Sequence, residues 1–165
     1  MKYQITKFIE QQLQKLQNEQ NAQAMAAYMK TTMPFYGVKA TERRCIVRQA
    51  IRLYPVRSQK EYLGVIEEVW NQRHREEKYI AIDIARAYPH YIDMVMVPFF
   101  EKMVREGAWW DFVDDIAMHL VGAILLRYPS EMWPIIEQWA NDSNLWIRRT
   151  SIICQNKFKS KRKGY

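Results

Sequence analysis

Two indoles followed by three carboxylates, in the stretch Gly107-Ala108-Trp109-Trp110-Asp111-Phe112-Val113-Asp114-Asp115-Ile116, are the residues here best suited to chemistry. At 3.6 residues per helical turn, Trp110 and Asp114 stand one turn apart on one face. The apolar stripe Phe112, Val113, Ile116, Leu120, Ala123, Ile124 faces elsewhere. One aromatic face and one carboxylate are therefore offered together on a side that the core does not need. A carboxylate so placed can orient a water or support a developing cation, and an indole face attracts cationic groups. The competing reading is an acidic first turn that complements the helix dipole, with both tryptophans in the core.

The elements that must position these residues are helices. The 165 residues suffice for one domain with a sizeable core, and 48% hydrophobic with 13% aromatic residues argues against disorder. Only five Gly and six Pro, on a background rich in Gln, Glu, Lys, Arg, Leu, Met and Ala, favours helix over sheet. Helical spacing runs from Tyr3 to Leu16, a break falls at Asn18 to Asn21, and a second helix spans Ala22 to Met33 before Pro34. Tyr28, near the end of that helix, either packs between helices or points out towards a ligand. Thr41 is the expected N-cap of a helix to Tyr54, which carries an arginine ladder at Arg43, Arg44, Arg48 and Arg52. Ser58 is expected to cap a helix to Trp70. Further helices span Arg73 to Tyr88, Tyr91 to Glu106 (kinked or split at Pro98), the Trp-Trp-Asp helix to Tyr128, Ser130 to Ala140, and Ser143 to Phe158. No stretch shows sustained period-two alternation, so the expected fold class is all-α.

Three of these helices close alike, in Arg52-Leu53-Tyr54-Pro55, Arg86-Ala87-Tyr88-Pro89 and Arg127-Tyr128-Pro129. The prolines recur at the period of paired-helix solenoids such as HEAT repeats, in which each pair buries its faces against its neighbours. That register gives the Trp-Trp-Asp helix and the Trp146 helix equivalent positions in successive repeats, with Trp110, Asp114 and the Arg148/Arg149 pair on one surface.

Charge narrows the partner. The net charge is +7, yet residues 148–165 hold seven basic side chains and no acid, which leaves residues 1–147 neutral. A polyanion such as nucleic acid is the functional reading of Arg148, Arg149, Lys157, Lys159, Lys161, Arg162 and Lys163, against a solvated, frayed tail for Lys159 to Lys163; Arg148 and Arg149 differ, because they sit in a helix start behind Trp146. The arginine ladder from Arg43 to Arg52 either lines DNA or pairs with Glu42 and solvent. His74, His90 and His119 have no partners at metal spacing, and His119 is expected to pair with Asp115. Neither a Gly-rich phosphate loop nor a Ser-His-Asp order is present. Trp70, Trp133 and Trp139 are expected in packing roles. Cys45 and Cys154 lack ligand spacing, Met1 to Ile5 lacks a signal-peptide run, and no apolar run approaches a membrane span; a soluble cytoplasmic location is expected.

Four segments in order carry a resemblance: Pro34-Phe35-Tyr36-Gly37-Val38, Thr41-Glu42-Arg43-Arg44, Trp109-Trp110-Asp111-Phe112-Val113-Asp114 and Leu145-Trp146-Ile147-Arg148-Arg149. Together they resemble the DNA alkylation repair family of AlkD-type HEAT-like-repeat DNA glycosylases, from about Tyr28 to Phe158. The resemblance implies a right-handed superhelical solenoid of antiparallel helix pairs, one domain over residues 1–165. It implies a monofunctional glycosylase that removes positively charged alkylated purines, N3-methyladenine and N7-methylguanine, from double-stranded DNA. No metal and no cofactor is implied. Trp110 and Asp114 would be the catalytic pair and Arg149 the phosphate-holding arginine, with Tyr28 a further aromatic at the lesion. Arg148, Arg43 and Arg44 would join the DNA-binding surface. Family members continue for several helices beyond the Trp146 helix, so this chain is expected to lack the family's C-terminal repeats and to offer an apolar end for pairing with another chain. A DNA-binding module without excision and a protein-interaction scaffold stand as the alternatives.

Overall fold

A computed structural model describes residues 2–161, with side chains to Phe158. Of the basic C-terminal run, Arg162 and Lys163, with Gly164 and Tyr165, lie outside the described residues, as do the side chains of Lys159 and Lys161. Among the described residues every regular element is helical. The helices are α1 (Gln4–Lys15), α2 (Glu19–Met29), α3 (Ala40–Leu53), α4 (Gln59–Trp70), α5 (Arg75–Ala87), α6 (Val97–Gly107), α7 (Trp110–Asp115), α8 (Gly122–Arg127), α9 (Pro129–Ala140), α10 (Leu145–Ile153) and α11 (Asn156–Lys161). They group into two compact units that meet in sequence at Ala87 and Tyr88. No described helix is long and apolar enough to cross a membrane.

Local chemistry explains most boundaries. The three Tyr-Pro sites end α3, α5 and α8 with nearly one backbone geometry: φ/ψ of −132/68° at Tyr54, −120/68° at Tyr88 and −128/59° at Tyr128. Each tyrosine precedes a proline, whose ring excludes the α region for the residue before it, so the repeated signature is a repeated helix stop. Ser58 caps α4 as expected, its Oγ accepting from the Glu61 N–H at 3.1 Å. Asn18 proves to be the N-cap of α2 and accepts from the Asn21 N–H, so that helix begins at Glu19. It ends at Met29, earlier than Pro34 would require, because Lys30 takes a left-handed conformation at φ 52°. Thr41 is not the cap of α3: Lys39 holds that position without a side-chain hydrogen bond, and Thr41 lies inside the helix. The helix expected from Tyr91 to Glu106 begins only at Val97, after two short 3-10 turns at Pro89–Tyr91 and Met94–Met96, and Pro98 sits in the first turn of α6, where a missing N–H costs nothing.

In the first unit α1 packs on α3 and α4, α3 lies beside α5, and α4 packs along α5. Leu13, Ala50, Tyr62, Val65, Ile66, Val69, Ile80, Ala81 and Ile84 are buried between them. The buried polar anchor is Glu76, in the first turn of α5. Its Oε1 accepts from the N–H groups of Gly37 (2.8 Å) and Val38 (3.1 Å), and its Oε2 from that of Tyr36 (3.0 Å). The Phe35-Tyr36-Gly37-Val38 segment is thus hung on one carboxylate. Gly37 is obligatory there, with φ +86° and the Asn18 carbonyl oxygen 2.0 Å from where a Cβ would stand.

In the second unit α6 packs on α7 and α10, α8 on α9, and α9 on α10. Residues 110–127 form one continuous helix whose middle, Ile116–Val121, widens to a π turn. In a straight α-helix Leu125 would stand about 220° round from Phe112. The wider turn takes up part of that drift, and Phe112, Val113, Ile116, Ala117, Leu120, Val121, Ile124 and Leu125 are all buried. Immediately after it the Cys154 carbonyl approaches Gly122 so closely that a Cβ would meet it at 2.8 Å.

Candidate functional site

Helices α7 and α10 pack on one another, with Phe112 and Val113 of α7 and Ile147, Thr150 and Ser151 of α10 all buried, and this packing fixes what the rims present. At the rim Asp114 and Arg149 meet as a two-bond fork. Arg149 Nε donates to Asp114 Oδ1 at 2.6 Å and Nη2 donates to Oδ2 at 2.7 Å. The fork matches guanidinium to carboxylate geometry, and that hydrogen bonding holds the Arg149 pKa above its ordinary value. Both side chains remain substantially open to solvent. Trp110 stands one turn before Asp114 and is 46% exposed, so its indole is offered beside the pair rather than spent in the core. The neighbouring Trp109 turns the other way and tilts against Trp146 at 6.0 Å between ring centres. Its Nε1 is buried without a hydrogen-bond partner.

The start of α10 is held by a chain of polar contacts that the sequence did not single out. Trp139 Nε1 donates to Glu101, Glu101 and Asp142 both accept from Arg105, and Asp142 Oδ1 accepts from the Asn144 N–H. Hydrogen bonding from Arg105 holds the Asp142 carboxyl below the usual carboxylate range. Asn144 Oδ1 then caps α10, accepting from the N–H groups of Trp146 and Ile147. Asp142-Ser143-Asn144 ahead of an apolar run is the signal that identifies such a cap. Arg148 belongs to this support: its Nη1 donates to the Asp142 and Ser143 carbonyls at 2.7 and 2.9 Å, away from Asp114.

The remaining candidates lie in the first unit. Tyr28 points out, 77% exposed, over a groove of about 460 Å³ that Met25, Met29, Phe35, Lys39, Arg43 and Tyr79 help to line. Arg43 turns inward, its guanidinium 4.4 Å from the centre of the Tyr79 ring and 3.9 Å from Asp83, so its partner is Asp83 rather than Glu42 or solvent. Burial lowers the Arg43 pKa, partly offset by Asp83. Arg44 stays exposed. His119 pairs with Asp115 at 3.4 Å. Of the tryptophans expected in packing roles, Trp70 and Trp139 are buried, and Trp133 is 40% exposed and stacks on Phe158. No group of His, Cys, Asp and Glu among the described residues is arranged to hold a metal ion.

The all-helical fold of the described residues is shared with known proteins. The sequence model of the DNA alkylation repair enzyme family matches residues 9–164, and the chain belongs to that family. Its fold is similar to that of a solved structure described as a predicted DNA alkylation repair enzyme from Enterococcus faecalis. The two share 28% sequence identity and a TM-score of 0.78 over 88% of this chain and 68% of that one. No curated protein matches the chain. Family membership supports an enzyme role in alkylation repair, with DNA as the partner.

Proposed function

We propose that the protein is a DNA glycosylase that excises positively charged alkylated purines, such as N3-methyladenine and N7-methylguanine, from duplex DNA. The observation that carries this reading is the Asp114–Arg149 fork on a solvent-open rim beside the exposed indole of Trp110. Alkylation has already made the base a good leaving group. The bond between C1′ and the base nitrogen breaks with its electron pair passing to the base, which departs neutral. Positive charge then develops on the sugar. The Asp114 carboxylate stabilises it and receives a proton from the water that attacks C1′, leaving an abasic site. The faces of Trp110 and Tyr28 attract cationic sugar and base, an effect worth about 0.5–2 kcal/mol each.

Arg149 resolves an electrostatic difficulty. A bare carboxylate next to the DNA backbone is repelled, and a guanidinium 2.6 Å away offsets that charge. Nε and Nη2 hold Asp114 and leave Nη1 for a backbone phosphate, so one arginine registers the strand on the carboxylate. A second reading draws on the same fork. With both Asp114 oxygens occupied, the pair would serve as structure in a DNA-binding module that excises nothing.

Base release from duplex DNA containing N7-methylguanine decides between them. Under the glycosylase reading the unaltered chain releases base. Asp114→Asn lowers the rate by about 100-fold or more, the usual range for a lost acid–base group, and Arg149→Ala also lowers it sharply. A folded, DNA-binding chain that releases no base refutes excision and leaves the binding module.

A further inference from the structure

Residues 108–110 join α6 to α7, and the first two carry a cost to the fold. Ala108 ends α6 in the left-handed region at φ 40°, where a side chain is strained and glycine is the usual occupant. Trp109 follows in an extended conformation as the N-cap of α7. Its side chain caps nothing, and its indole N–H is buried without a hydrogen-bond partner. A buried donor left unpaired is destabilising, and a leucine or phenylalanine would bury apolar surface there without one. Burial alone therefore does not account for an indole at position 109.

What the indole adds is reach. Its ring tilts against that of Trp146, on α10, at 6.0 Å between centres and 53° between planes, a favourable aromatic arrangement. Trp146 is itself fixed: its N–H donates to Asn144 Oδ1 at 2.8 Å, and its carbonyl accepts from Thr150 Oγ1 at 2.8 Å. The ring pair thus ties the residue before Trp110 to the residue three positions before Arg149. The two helices that carry the rim are joined at their starts, and α7 cannot turn about its axis without breaking that contact.

We infer that Trp109 and Trp146 are positioning residues for the rim: their ring contact sets the direction in which the Trp110 indole stands beside the Asp114–Arg149 fork. They act through Trp110 rather than on the reacting atoms. The effect on rate rests on the proposed excision; the effect on Trp110 does not.

The test places 5-fluorotryptophan at the six tryptophans and follows fluorine NMR, the Trp110 signal being assigned by its loss in Trp110→Phe. Trp109→Leu and Trp146→Leu should move or split that signal. On duplex DNA containing N7-methylguanine they should lower the single-turnover rate of base release about 10- to 100-fold, the effect of a displacement on the order of 1 Å, with duplex affinity kept within about 2-fold. Trp109→Phe and Trp146→Phe keep an aromatic face and should fall between the parent and the leucine variants in both readouts. Val65→Ala, in the core of the other unit, lowers the melting temperature by lost packing and should leave signal and rate unchanged. Trp146 is only partly buried, so Trp146→Leu tests the same contact if Trp109→Leu does not fold. A Trp110 signal unmoved in a folded leucine variant, or moved as far by Val65→Ala, overturns the inference. So does a phenylalanine variant that loses as much as its leucine counterpart, or a moved signal with an unaltered rate. Base release by the unaltered chain separates the two proposals. Release with an unmoved Trp110 signal overturns the positioning and leaves excision. A moved signal in a chain that releases no base supports the positioning and removes excision.

Discussion

Glu76→Gln is the substitution whose cost the structure specifies best. Glu76 is completely buried, and its carboxylate accepts three backbone N–H groups, from Tyr36, Gly37 and Val38. The amide oxygen of glutamine keeps the Gly37 and Val38 bonds but turns them from charge-assisted to neutral, a loss of about 1 kcal/mol each. The amide nitrogen then faces the Tyr36 N–H, donor against donor, which strands a polar group at a further cost of about 1–3 kcal/mol. Burying a neutral amide instead of a carboxylate returns part of this, so the net loss is about 3 kcal/mol. For a chain of this size that lowers the melting temperature by about 6–12 °C. Thermal unfolding followed at 222 nm reads the global effect. Hydrogen exchange at the Gly37 and Val38 amides reads the local one and should speed up before the rest of the unit opens. A variant that melts within about 2 °C of the parent, with unchanged Gly37 exchange, would refute the claim that one carboxylate carries this segment.

Further predictions concern the rim and the thiols. Asp114→Asn and Arg149→Ala should each change unfolding free energy by about 1 kcal/mol or less in urea, because the pair is open to solvent. A loss well beyond that would mean that the fork belongs to the fold rather than to a site. Cys154 is buried, and burial pushes its thiol up to about 12. At pH 8 its thiolate fraction is on the order of one part in ten thousand. Iodoacetamide should therefore modify Cys45 in the native protein and Cys154 only after denaturation; equal labelling of both without unfolding would contradict the burial.

The parts of the fold legible in the sequence are those decided within a turn or two of chain. A proline excludes helix from the residue before it wherever it occurs, so the three Tyr-Pro stops could be read and their common geometry expected. Ser58 caps α4 through a contact three residues away. Thr41 looked equally suitable but was passed over. The start of α3 is placed by the tethering of the 35–38 segment, and that tether comes from Glu76, about forty residues further on. Nothing near Glu76 distinguishes it from an ordinary acidic first turn. The π turn at Ile116–Val121 was hidden for a related reason. The apolar residues of the Trp-Trp-Asp helix fit an α-helical stripe well enough, and the widening becomes necessary only when Phe112 and Leu125 must reach one core.

The candidate site shows the same division within two adjacent residues. The repeat spacing read from the sequence puts both Arg148 and Arg149 on one surface with Trp110 and Asp114, but side chains of neighbouring helical residues point about 100° apart. Which of them meets Asp114 depends on how α10 is rotated about its axis. Ile147, Thr150 and Ser151 are buried against neighbouring helices, and Asn144 pins the first turn, so the rotation is set by packing and capping together. That rotation sends Arg149 to Asp114 and Arg148 back to the Asp142 and Ser143 carbonyls. The arginine that frames the carboxylate and the arginine that secures the loop are therefore complementary. Arg148 and the Arg105–Asp142 pair hold the turn from which Arg149 projects. Loosening that turn should misplace the fork without touching either of its members.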